Sequence, residues 1–448
     1  MDARSSRPDA PRVLRLVRPL QEFLTTETLG GVLLLAATIA ALAWVNAPFG
    51  NSYGDFWGAR IRIDLNVITL DESLTQWVND GLMTIFFFVV GLEIKREVLR
   101  GELAEPRKAA LPAIAAIGGM VVPAAIYLAF NAGHEGERGW GVPMATDIAF
   151  AVGVLALLGR RVPLSLKVFL LALAIADDLG AIVVIAVFYT DSIAFGWLAA
   201  AVGLLAVTAA LGRLGVRPVV VYIAIGVGAW LCVHESGIHA TIAGVALALL
   251  TPITSFVRPR DIERNSLDLV EQIRGGHDVG SAEGRETSRS ALRDLETLSR
   301  DSRPVLDRLE HTLHPWTSYA IVPLFALANA GVALDSAAIS AASTSRVTAG
   351  IALGLMVGKP AGIVLFAWVA VKLRVAVLPA DADWPRLAAV AMIAGIGFTV
   401  SLFVGGLAFQ QASLVDEAKI GILVGSAVIG LAGFITLWAV SRTEPEAT

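Results

Sequence analysis

Long apolar runs alternate with short polar breaks along most of the chain. Runs of the length needed to cross a bilayer core, roughly 20 helical residues, lie near 29–46, 75–95, 109–130, 139–158, 164–189 and 194–212. Six more lie near 218–234, 238–254, 315–334, 347–371, 386–408 and 419–440, so the pattern predicts twelve transmembrane helices. Pro143 and Asp147 interrupt the run at 139–158, and His239 stands at the start of 238–254. Between the first two runs, Arg60-Ile-Arg-Ile-Asp-Leu65 alternates polar with apolar and Val67-Ile-Thr-Leu70 follows Asn66, which predicts a short β-hairpin. The expected architecture is an all-α polytopic membrane protein with one small hairpin. It divides into a tail 1–28, spans over 29–254 with the hairpin near 60–70, a loop 255–314, spans over 315–440 and a tail 441–448.

Composition agrees: 56% of the 448 residues are hydrophobic and 17% charged, with mean hydropathy +0.69. A soluble domain carries about 25% charged residues. The single cysteine, Cys232, excludes an intramolecular disulfide, and a net charge of −4 gives no sign of a nucleic-acid partner. Lys and Arg in the short loops set orientation. With the N-terminus cytoplasmic, eighteen fall on the inner side and five on the outer, leaving aside 258–308. Both termini are therefore expected in the cytoplasm and the hairpin in the periplasm. The stretch 258–308 has ten basic and eleven acidic residues and four glycines, and is expected to be a largely mobile cytoplasmic loop with a short amphipathic helix over 288–300.

Within the apolar runs, far from either end, four charged residues remain: Asp147, Asp177, Asp178 and Lys359. At 1.5 Å of rise per residue, Asp147 lies about 14 Å, the aspartate pair about 20 Å and Lys359 about 18 Å from the start of its run, so all four meet near midplane. Ionisable groups at that depth mark a pathway or a site. Three carboxylates against one ammonium leave an excess of negative charge that helix packing does not require, and an unpaired buried carboxylate takes up a proton or a cation. Adjacent helical residues point about 100° apart, so one of the pair can aim at an ion while the other meets a partner such as Lys359. Pro143-Met-Ala-Thr-Asp147 and Gly395-Ile-Gly-Phe-Thr399 are poor continuous helix, and two broken spans at matching places point to a transporter.

At these residues the chain resembles the bacterial NhaA-type sodium/proton antiporters. The resemblance rests on Ala145-Thr-Asp-Ile-Ala-Phe150, Ala176-Asp-Asp-Leu-Gly180, Gly358-Lys-Pro360, Gly395-Ile-Gly-Phe-Thr399, Val90-Gly-Leu-Glu-Ile-Lys-Arg-Glu97, Leu309-Glu-His-Thr-Leu-His-Pro-Trp316 and Ser236-Gly-Ile-His239. It implies twelve helices with inverted repeats and two broken helices that cross. It further implies that Asp177 and Asp178 bind ion and proton with help from Thr146, that Asp147 and Lys359 balance helix dipoles, the lysine also pairing with Asp177, and that Gly395 and Gly397 permit the break. Glu93, Arg96, Glu97, Glu310, His311 and His314 are implied as a cytoplasmic pH-responsive cluster, with His239 a further pH-responsive histidine. The hairpin is similar to a family dimer contact.

The expected activity is exchange of sodium or lithium for protons across the bacterial inner membrane, without enzymatic chemistry or a cofactor. It is expected to be electrogenic and pH-regulated. Two rivals come from other classes. An intramembrane aspartyl protease wants Gly-x-Gly-Asp, whereas Ala174-Ile-Ala precedes Asp177 and Lys359 would have no role. A sodium-coupled symporter of a small organic anion would need polar groups lining a larger cavity, which these Gly- and Ala-rich spans do not offer. The departure from the family is the loop between the eighth and ninth runs, much longer here.

Overall fold

The computed structural model describes residues 12–64, 69–190, 193–214, 216, 219–254, 259–278 and 282–441. Among these, seven helices are long and apolar enough to cross a membrane: Thr28–Val45, Pro106–Asn131, Glu137–Leu157, Leu164–Phe188, Phe195–Arg213, Arg346–Lys372 and Ala412–Val440. A pair bent by 47°, Trp384–Ala394 and Phe398–Ala408, makes an eighth. Shorter apolar helices, Val220–Glu235 and Thr241–Leu250, accompany them.

The outward faces of these helices carry large apolar side chains such as Val202, Val220, Val424 and Leu431, all exposed, as expected where lipid is the solvent. Inside, small residues bring helices together. A Cβ on Gly118 would fall 2.3 Å from the Gly362 carbonyl oxygen, and one on Gly362 2.1 Å from that of Gly118, so Pro106–Asn131 and Lys359–Lys372 cross backbone to backbone. Close small-residue crossings are how membrane helices pack where no hydrophobic drive separates helix from lipid. This one sets the height and rotation of Lys359.

The hairpin forms where the alternation predicts it, but its second strand runs on past Leu70 to Ser73. Arg60–Asp64 pairs antiparallel with Thr69–Ser73, from Arg60 opposite Ser73 to Asp64 opposite Thr69. Arg60 Nε donates to Asp71 Oδ1 at 3.0 Å. The turn about Asn66 lies outside the described residues, as do the tail arginines Arg4 and Arg7. A capping box between Ser73 and Gln76 then starts the next helix.

Where charge content predicts a mobile loop, the chain instead forms two 20-residue helices, Pro259–Asp278 and Ala282–Asp301, packed on one another. Ser288 Oγ donates to the Ile273 carbonyl at 3.2 Å across the pair. The reason is periodicity: Ile262, Leu269 and Ile273 on one helix, and Ala291, Leu295 and Leu298 on the other, recur at helical spacing amid the charges. The helix expected over 288–300 is the central part of the second. A third helix, Val305–Trp316, carries Glu310, His311 and His314 and runs on through a π-helical turn, Thr317–Ile321, into Val322–Asn329.

Candidate functional site

The interrupted helices meet as the family resemblance implies. Glu137–Met144 is a 3-10 helix; Ala145, Thr146 and Asp147 are extended; Ile148–Leu157 resumes as α-helix. Across from them, Gly395, Ile396 and Gly397 separate Trp384–Ala394 from Phe398–Ala408. The two breaks are joined directly. Asp147 N donates to the Ile396 carbonyl at 2.7 Å, and Thr146 Oγ1 donates to the Ala394 carbonyl at 3.0 Å. Broken helices at this depth leave backbone groups without intrahelical partners, and each must be met by another group inside the protein. The opposite break supplies them.

Asp147 caps two helices at once. Its Oδ1 accepts from Phe150 N at 2.9 Å, closing the first turn of its own half-helix. Its Oδ2 accepts from Thr399 N at 3.0 Å and from Thr399 Oγ1 at 2.5 Å, at the start of the facing one. A carboxylate is favoured at helix N-termini, where the macrodipole is positive. Lys359 does the converse. Its ammonium donates to the Met144 carbonyl, at the end of the 3-10 helix, and to Asp177 Oδ2 at 2.7 Å. Both partners of that ion pair are buried, the lysine side chain at 0% exposure and the aspartate at 1%. A π-helical turn, Gly354–Gly358, immediately precedes Lys359, and π-turns recur at functional sites.

Asp177 Oδ1 is buried without a hydrogen bond among the described residues, although Thr146 flanks the carboxylate. Asp178, next on the Leu164–Phe188 helix, turns from the lysine into a cavity of about 50 Å³. That cavity is walled by Thr146, Asp147 and Thr399 from the crossing and by Glu93, His314, Thr317 and Ser318 farther out. A cavity needs about 10–15 Å³ to hold a water, whereas pockets for organic ligands run to about 300 Å³ or more. This one has the room of a small ion with a few waters.

Of the residues implicated in pH response, the structure unites four. Arg96 donates to Glu310 in a half-buried ion pair, and Glu93 lies 3.7 Å from His314 Nε2. Burial pushes the Glu310 carboxyl above the usual carboxylate range, against the pull of Arg96 and His314. Glu97 stands apart, its Oε1 accepting from Glu102 N at 2.7 Å, and His311 is exposed. His239 belongs to another region. Lys95 donates to the Leu249 and Thr251 carbonyls, both at 2.6 Å, and Gly244 abuts Thr84, so Met83–Arg100 and Thr241–Leu250 run parallel. His239, which precedes Thr241–Leu250, is therefore at the end remote from Arg96, with its Nε2 2.8 Å from the Tyr189 carbonyl.

Sequence reasoning missed three hydroxyls. Thr399 binds Asp147; Ser401 donates to the Val142 carbonyl at 2.8 Å; Ser426 accepts from Gly397 N and Phe398 N at 3.3 and 3.2 Å. Thr399 stands in the Gly395–Thr399 stretch, where a hydroxyl beside two glycines is the available signal.

A family model described as Na+/H+ antiporter 1 matches residues 21–437. The chain belongs to the NhaA sodium/proton antiporter family. It is 46% identical over 437 residues to the Na(+)/H(+) antiporter NhaA of Oleidesulfovibrio alaskensis, covering 96% of each chain. It is 47% identical to the NhaA of an Anaeromyxobacter species, over 98% of this chain and 94% of the relative. A Sorangium cellulosum protein named NhaA 2 is also 47% identical, over 94% and 90%. Membership in this family of transporters accounts for a membrane chain with its charges gathered at two crossed helix breaks.

Proposed function

We propose that the chain exchanges sodium or lithium for protons across the bacterial inner membrane, with Asp178 and Asp177 as the groups for which ion and proton compete. The observation that carries this reading is the arrangement of Asp178 on an ion-sized cavity beside the buried Lys359–Asp177 pair. Sodium needs several hard oxygen ligands, and carboxylates, the Thr146 hydroxyl and water are of that kind. Protonation of the same oxygens expels the ion. When the loaded or protonated site turns to the other side, as one helix group rocks against the other, the cycle closes as antiport.

Charge counting makes the exchange electrogenic. If emptying the site protonates both aspartates, or Asp178 and Lys359, two protons move for each sodium, and membrane potential drives the exchange along with the pH gradient. Asp147 and Lys359 hold the crossing together while the site changes charge, by facing the opposite dipole ends of the half-helices. The wider frame is twelve transmembrane helices with an inverted repeat, both termini cytoplasmic, and a homodimer formed through the periplasmic hairpin. No cofactor enters the cycle.

The cytoplasmic cluster offers pH control. As pH rises, Glu310 ionises and its pair with Arg96 strengthens, three residues along the helix from Glu93, which borders the ion cavity. That pair joins Met83–Arg100 to Val305–Trp316, so its strengthening moves one helix against the other.

The test is sodium-dependent proton flux in vesicles of purified protein without any organic solute, with and without an imposed potential. Flux that follows sodium and responds to potential supports the reading. Flux that requires an organic anion would overturn it, and a cavity of about 50 Å³ already leaves that symporter without room for its cargo.

A further inference from the structure

A second concavity lies on the lipid-facing side of the helix that carries Lys359. Ala361, Val364, Leu365 and Trp368 form one wall and Trp384, first residue of the bent pair, the other, enclosing about 490 Å³. Its surface is apolar and open to the bilayer, Leu365 and Trp368 being 51% and 44% exposed. A volume of this size is typical of sites for a small organic molecule or a hydrocarbon chain. Nothing in the ion-exchange chemistry uses it.

The groove has one polar end. Lys372, in the last turn of the same helix, places its ammonium 4.5 Å from the centroid of the Trp368 ring. Among the described residues it makes no ion pair, so its charge is available at the rim. Arg374, two residues on, is exposed at a left-handed turn with φ 57°. Asp383, the nearest carboxylate in sequence to Trp384, is engaged: it caps Arg386 N at 2.8 Å. Tryptophan and lysine together mark the level of lipid headgroups, where an aromatic body stays apolar and an ammonium reaches the interface.

We propose that this groove is a resident site for one anionic phospholipid of the adjacent leaflet, an acyl chain lying along Ala361–Trp368 against Trp384 and the phosphate held by Lys372. Charge complementarity selects this occupant over a zwitterionic lipid, because the Lys372 ammonium stands over the groove's own Trp368 without an ion pair among the described residues, whereas Asp383, beside Trp384, faces Arg386. The lipid would bridge the helix of Lys359 to the first half of the broken helix, two elements that the exchange cycle requires to hold together.

The experiment uses purified protein in phosphatidylcholine nanodiscs doped at equal mole fraction with brominated phosphatidylglycerol or brominated phosphatidylcholine, whose bromines quench tryptophan on contact. The expected result is stronger quenching by the brominated phosphatidylglycerol, with an apparent preference of about fivefold, as one basic side chain at an anionic surface provides. That excess should vanish in Lys372→Gln, persist in Lys372→Arg, and vanish when Trp368→Phe is combined with Trp384→Phe, which removes both reporters of the groove. Equal quenching by the two lipids in the native protein would overturn the proposal, leaving ordinary annular lipid. So would an excess that survives Lys372→Gln or the double replacement of the two groove tryptophans. Sodium-dependent proton flux of each variant serves as the folding control.

Discussion

Lys359 and Asp177 form a fully buried ion pair, 2.7 Å apart, whose ammonium also closes the end of a broken helix. Removing one partner of such a pair strands the other charge, at a cost of about 3–5 kcal/mol. Lys359→Ala should therefore lose that much stability, and Lys359→Arg less. Adding Asp177→Asn to Lys359→Ala should restore part of the loss. Thermal unfolding in detergent measures all three; strictly additive losses would mean that the two residues do not act as a pair.

Asp178 shares a helix with Asp177 but faces the cavity. Asp178→Asn keeps the shape of the side chain and removes the charge for which sodium and proton compete, so exchange should fall to background at unchanged melting temperature. Dye-reported proton flux in vesicles decides the matter. Native turnover in that variant would remove Asp178 from the mechanism.

Thr399 supplies Asp147 with two of its hydrogen bonds, one from backbone and one from the hydroxyl. Thr399→Val deletes the hydroxyl alone, and a hydrogen bond to a charged group is worth about 1.5–3 kcal/mol. The variant should lose stability in that range while keeping measurable exchange, and Thr399→Ser should recover most of it.

For pH, the sign follows from burial. Glu310 is held above the usual carboxylate range, so its neutral form is favoured in the fold; the associated stability is fully present below its unfolded pKa and fades as pH rises through the raised value. Exchange should be low in acid and rise through neutrality. At saturating sodium, Glu310→Gln should displace that profile, whereas Glu97→Gln, whose side chain still accepts from Glu102 N, should leave it nearly in place. A Glu310→Gln profile that overlays the native one would make the Arg96–Glu310 pair purely structural.

Orientation is tested by labelling in a background where buried Cys232 is replaced by serine. A cysteine at Thr69, exposed on the hairpin, should react with an impermeant thiol reagent in intact cells, and one at Glu296, exposed on the helical pair, should resist. The reverse pattern would invert the topology.

Much of the site was legible in the chain because charge in an apolar run has few physical excuses. Asp147, Asp177, Asp178 and Lys359 stood out by cost alone, and Gly395 and Gly397 beside them announced a break. Helical geometry left either aspartate eligible to meet Lys359, and the family resemblance pointed to Asp177, the partner found. The helical pair over 259–301 shows the opposite failure: its charges suggested a mobile loop, while a sparse apolar stripe was enough to close two helices on each other.

The sequence by itself determined that this protein lives in a bilayer, that four ionisable groups sit at its centre, and which family it resembles. It did so because burying charge and leaving backbone unpaired in hydrocarbon are costs written residue by residue. Only the tertiary structure decided that Asp147 caps two helices through Thr399, and that Glu97 bonds Glu102 N and not the cluster it was grouped with. Those outcomes depend on helix rotation and crossing height, set where Gly118 meets Gly362 and one broken strand of backbone bonds the other, and contacts between distant segments leave no local trace in the chain.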